Sequence, residues 1–75
     1  MANAMYYILS IQEKDGLPSV EVCESMAEVM KSVEWQLCDA KSPAILKQAE
    51  QALSTTRTWT DSEGTIYTLR QRGGK

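Results

Sequence analysis

Residues 25–53 read "SMAEVMKSVEWQLCDAKSPAILKQAEQAL", and this stretch decides the fold because it holds two helices in succession, each with its own start signal. Ser25 is followed three residues later by Glu28, the pattern in which a hydroxyl and a carboxylate satisfy the first free N–H groups of a helix. At about 100° per residue, Met26, Val29, Met30, Val33, Leu37 and Ala40 gather on one stripe, which is the expected core face. "DAKSP" ends that helix. Ser42 can cap a second one, with Pro43 in its first position, where a missing N–H costs nothing. Ile45, Leu46, Ala49, Ala52 and Leu53 then form the buried side of the second helix, its alanines allowing close approach to a neighbour.

Outward from this pair, both flanks read as strands. "AMYYILSIQ" (4–12) is rich in β-branched and aromatic residues, with Met5, Tyr7, Leu9 and Ile11 on one face and Tyr6 and Ile8 on the other, as in a central strand. "EKDGLP" (13–18) carries turn chemistry, and "SVEVCE" (19–24) alternates Val20 and Val22 against Glu21 and Cys23, completing a hairpin. On the far side, "STTRTWT" (54–60) and "TIYTLRQR" (65–72) flank "DSEG" (61–64), whose Gly64 can supply a positive φ, so a second hairpin is expected. In the last run Tyr67 and Leu69 point inward, against outward Thr68 and Arg70. The resulting order is ββααββ: an α+β fold with a four-stranded, mostly antiparallel sheet and both helices packed on one face. The reading is one small domain over residues 1–75, with residues 71–75 as a flexible basic tail.

Size limits the function. A chain of 75 residues buries only roughly 60% of its unfolded surface, which leaves little interior for a deep pocket. Residues 1–50 carry a net −4 and residues 51–75 a net +2, so the C-terminal end is the basic one. No apolar run approaches the ~20 residues that span a bilayer, so no membrane partner is expected. "MANAMYYILS" lacks the basic start and long apolar stretch of a secretion signal, and the expected location is cytoplasmic. The sequence contains no histidine and two cysteines, Cys23 and Cys38. Ser, Thr and Cys nucleophiles thus lack their usual base, and a closed zinc site lacks ligands; no enzyme activity, cofactor or metal is expected.

Trp35 is the most informative position. It lies roughly opposite the centre of the apolar stripe, with Glu28, Lys31, Ser32 and Asp39 as its flankers at helical spacing and Cys38 on the same side. A core helix does not need tryptophan there: either another element covers that face or Trp35 anchors a partner, as tryptophan often does at interface hot spots. A secondary patch consists of Arg57, Trp59 and Arg70, which together with Tyr67 could form an aromatic platform rimmed by arginine for single-stranded nucleic acid. The acidic remainder of the chain argues against such a partner.

Two resemblances add to this reading. The end "LRQRGGK" (69–75) resembles the Leu-Arg-x-Arg-Gly-Gly tail of ubiquitin, and a hairpin followed by a helix is also how that fold begins. The resemblance implies a protein modifier joined through Gly74 after removal of Lys75, with Arg70 and Arg72 contacting processing enzymes; the second capped helix departs from the strands that follow in ubiquitin. In general character the small acidic domain is similar to phage and mobile-element inhibitors, including anti-CRISPR proteins. The leading expectation is therefore a non-enzymatic protein-binding module, an inhibitor or regulator that blocks a surface of a larger protein or complex or self-associates. The alternatives are a ubiquitin-like modifier and a weak single-strand nucleic-acid binder.

Overall fold

A computed structural model describes residues 5–73. The elements are β1 (Tyr6–Gln12), β2 (Ser19–Cys23), α1 (Met26–Leu37), α2 (Pro43–Thr55), β3 (Thr58–Thr60) and β4 (Ile66–Arg72), the expected ββααββ order. The strands form one antiparallel sheet in the order β2-β1-β4-β3. β1, apolar on both faces, is indeed an inner strand, with Leu9 opposite Leu69 and Ile11 opposite Tyr67. α1 lies over β1 and β2, and α2 over β3 and β4. Val29, Val33 and Leu37 of α1 and Ala49 and Leu53 of α2 are buried against Leu9, Ile11, Cys23, Tyr67 and Leu69 in one core. Each larger side chain there contributes roughly 1.5–3 kcal/mol by leaving water.

The helix starts follow the sequence signals. The Ser25 hydroxyl accepts the Glu28 N–H at 3.3 Å, and the Glu28 carboxylate accepts the N–H of Glu24 at 2.9 Å. Ser42 likewise accepts the Ile45 N–H at 3.2 Å. These contacts satisfy groups that no helix can pair internally.

Three boundaries differ from the sequence reading. Ala40 leaves the α1 stripe: Cys38 takes φ 53°, which stops the helix, and Cys38–Ala40 form a short 3-10 turn. "STTRTWT" is not one strand, because Ser54 and Thr55 continue α2 and only Thr58–Thr60 pair. Arg57 in the left-handed region (φ 68°) makes the turn, with its N–H and that of Thr56 both bonded to the Ala52 carbonyl. Gln71 and Arg72, expected in a free tail, belong to β4 and pair with Tyr7 and Tyr6, because β1 is long enough to reach them.

The second hairpin is held by one carboxylate. Asp61 Oδ1 accepts the N–H groups of Glu63 and Thr65, both at 2.9 Å, and Oδ2 accepts the Tyr67 hydroxyl at 3.0 Å. Gly64, at φ 88°, completes the turn. Tyr67 is fully buried, and burial first, then the Asp61 carboxylate, hold its phenol well above its ordinary value of 10.0. Burial also pushes the Cys23 thiol above 9.0. Both groups fold in their neutral forms, so their contribution is complete below their unfolded values and is lost as pH rises through the folded ones. In urea titrations, stability is expected to hold from neutrality to about pH 9 and then fall, with Tyr67→Phe reducing the alkaline slope. At neutral pH, Asp61→Ala should cost about 1–3 kcal/mol, more than Tyr67→Phe, because it orphans donors that the fold keeps from water.

Candidate functional site

β2 is the strand with least cover. It is an edge strand, and among the described residues it pairs only with β1. Its register, Cys23 opposite Tyr7 and Val22 opposite Ile8, turns Cys23 and Glu21 toward α1 and the two valines to the uncovered face of the sheet. Val20 is 63% exposed and Val22 67%, and Leu17 in the preceding turn is 90% exposed. Tyr6 and Met5 add further exposed apolar surface beside Val22.

α1 borders this strand with one flank. The Ser32 hydroxyl donates to the Glu21 carboxylate, and Gln36 Nε2 donates to Glu13 Oε2 at 2.8 Å, so the Ser32–Gln36 side of the helix faces the first hairpin. Between strand and helix lies an open groove of about 450 Å³, lined by Glu21, Val22, Cys23, Glu28, Lys31 and Ser32. On the other face of β2 a second depression of about 440 Å³ is lined by Met5, Tyr6, Val22 and Glu24. Val22 is common to both.

Trp35 stands one turn beyond Lys31 and Ser32 on the outer side of α1 and is 82% exposed, so among the described residues nothing covers that face. Of the residues read as its patch, Glu28, Lys31, Cys38 and Asp39 are exposed and Ser32 is half-buried. Glu28, Lys31 and Ser32 meet in the groove; Cys38 and Asp39 follow Trp35 in the 3-10 turn, where the Cys38 thiol lies 3.1 Å from the Trp35 carbonyl oxygen.

The secondary patch is not brought together. Trp59 and Tyr67 face the helices, their rings 5.2 Å apart and tilted by 34°, and Trp59 packs on the core. Arg70 projects from the opposite face of β4, and the Arg57 guanidinium lies 3.4 Å from Gln71 Oε1. For Arg70 the reason is alternation along β4, where it and Tyr67 have opposite parity and cannot share one face; Arg57 lies in the turn before β3. Of the six residues that carry the ubiquitin resemblance, Leu69–Arg72 are paired with β1, and Gly74 lies outside the described residues.

Burial, then the Glu21 carboxylate, raise the Cys23 thiol, with the Ser32 hydroxyl opposing and Glu28 adding, so the groove holds a neutral thiol at pH 7. Among the described residues no three His, Cys, Asp or Glu side chains gather to hold a metal, and no helix is long and apolar enough to cross a membrane. β2 is a strand as expected; what the sequence reading does not single out is the exposure of its valines. Val20 and Val22 read as the apolar side of a strand, and the signal against them is Cys23, the apolar residue of opposite parity that adjoins the helix start.

Comparison with models of protein families, with curated proteins and with solved structures finds no match to this chain. The site is therefore weighed on its own geometry.

Trp35 and Trp59 should separate cleanly. With Trp59→Phe present, the remaining indole is expected to emit as a water-exposed group and to be quenched freely by acrylamide. Trp35→Ala should leave stability within about 0.5 kcal/mol. Trp59→Ala should cost severalfold more in chemical denaturation, since it opens the core beside Tyr67. Native protein should react with a disulfide reagent at Cys38 alone, and at both cysteines only when unfolded.

Proposed function

We propose that this domain is a non-enzymatic protein-binding module that occupies a surface of a larger partner, as a small inhibitor or regulator does, with Trp35 as its anchor. The observation that carries the reading is an 82% exposed indole on the helix face opposite the core stripe, beside a groove and a strand whose valines also face water. A tryptophan so placed adds nothing to the core and offers a large rigid area that loses little entropy when covered. The flank carries acids and a base around this apolar centre: Glu28 and Asp39 with Lys31. An apolar anchor inside a charged rim is the usual layout of a protein contact.

Size supports the same reading. A standard interface takes about 800 Å² from each partner, roughly one part in seven of the 5330 Å² that this chain exposes. The grooves are open and shallow, fit for side chains of another protein rather than for enclosing a substrate. The sequence supplies no histidine, and the cysteine in the groove is protonated.

The test is affinity capture on immobilised wild type beside Trp35→Ala and Arg70→Ala. A specific partner should be retained by wild type and by Arg70→Ala and lost on Trp35→Ala. With the purified partner, Trp35→Ala should raise Kd by about 30-fold, as expected of a hot-spot residue worth ~2 kcal/mol. Equal capture by all three proteins would dispose of Trp35 as the anchor.

A further inference from the structure

β2 has a groove on its helix face and a depression on its open face that extends inward over β1, and that arrangement goes beyond an exposed tryptophan. Proteins blunt edge strands with charges on the strand, with proline, with bulges or with covering elements. Here Pro18 stands just before the strand, but the strand itself presents Val20 and Val22, with exposed Leu17 at its entrance. Its one charged side chain is Glu21, which turns toward α1 and accepts from Ser32, and no lysine or arginine lies on it.

A strand added to such an edge sends its side chains alternately to the two faces of the sheet. On β2 each face offers a receptacle of nearly equal size, about 450 Å³ on the helix side and about 440 Å³ on the open side, on either side of Val22. Their chemistry differs. The helix-side groove holds Glu21 and Glu28 against the single base Lys31. The open-side depression is made by Met5, Tyr6 and Val22, with Glu24 as its charged member.

We infer that the partner contributes an extended segment that pairs with the free edge of β2 and alternates basic side chains, placed beside Glu21 and Glu28, with apolar ones, placed beside Val20 and Val22. This rests on the protein-binding reading and specifies its mode. A second copy of the chain fits less well. Antiparallel self-pairing in the register that uses all five residues, Ser19 to Cys23, sets Glu21 directly against Glu21, and like charges opposite one another on a sheet face are destabilising. A segment with lysine or arginine at that position replaces the repulsion with attraction.

The probe is a capped peptide of about eight residues alternating valine and lysine, compared with one alternating valine and glutamate, both at low salt. The valine–lysine peptide should slow amide hydrogen exchange within Ser19–Cys23 and bind at least about tenfold more tightly than its acidic counterpart. Glu21→Lys should reverse that order, and Glu21→Gln, which keeps the shape of the side chain, should flatten it. Absence of protection in β2 at millimolar peptide would overturn the inference, as would a preference unchanged in both variants. Protection that grows with protein concentration and no peptide would overturn it too, in favour of a second copy. If Trp35→Ala abolishes capture of a partner while both Glu21 variants bind that partner with wild-type affinity, this mode fails and the protein-binding reading stands.

Discussion

The pairing of β1 with β4 is the contact on which the rest of this fold depends. It joins the first and last strands over their full length, Tyr6 opposite Arg72 through Gln12 opposite Ile66, and sets Leu9 against Leu69 at its centre. Each of these strands also belongs to a local hairpin, so one long-range pairing fuses two hairpins into a single sheet. Loop closure across nearly the whole chain is entropically costly, and the buried row of Leu9, Ile11, Tyr67 and Leu69 is what offsets it. Once β1 and β4 occupy the centre, β2 and β3 must be the edges.

Two helices of 12 and 13 residues cover one face of four strands and leave the other open. The open face does not read as a second core. It carries Tyr6, Ile8, Val20, Val22 and Ile66, but also Ser10, Thr58, Thr60, Thr68, Arg70 and Arg72. Its apolar members concentrate toward β2, while threonines and arginines occupy the β3–β4 side. The charge division seen along the sequence thus becomes a division across the sheet, with Glu21, Glu24 and Glu28 near β2 and Arg57, Arg70 and Arg72 toward the other side.

Much of the architecture was legible because the helix signals are local. Ser25 with Glu28, and Ser42 with Pro43, fix two helix starts through contacts that span three or four residues, and the apolar spacing after each fixes which side is buried. The same periodicity placed Trp35 opposite the buried stripe, while its exposure depends on whether another element reaches that face. What could not be read from the residues was set at long range. Whether Gln71 and Arg72 fray depends on how far β1 extends, and where Ser54 and Thr55 belong depends on Arg57 adopting a left-handed turn against the helix end. The fate of β2 was hidden for the same reason. Val20 and Val22 form the apolar side by composition, but the register with β1 and the buried position of Cys23 turn that side to water. In the arginine–aromatic patch, Arg70 falls on the face of β4 opposite Tyr67, while Trp59 and Tyr67 pack with the core.

The two edges of the sheet present different surfaces. β3 is three residues long, shows water Thr58 and Thr60, and is preceded by the turn at Arg57, whose carbonyl accepts the Leu69 N–H at 2.9 Å. Shortness is one device that keeps an edge from pairing. β2 is longer, shows valines, and has a depression on each side. The exposed apolar side chains gather mainly around β2, in Met5, Tyr6, Leu17, Val20 and Val22, with Ile66 on β4 as an exception, and Trp35 stands on the outer flank of α1 near that strand. Neither Trp35 nor the two valines contribute a buried side chain to the core, so this surface is free to be shaped by a partner without loss of the fold beneath it.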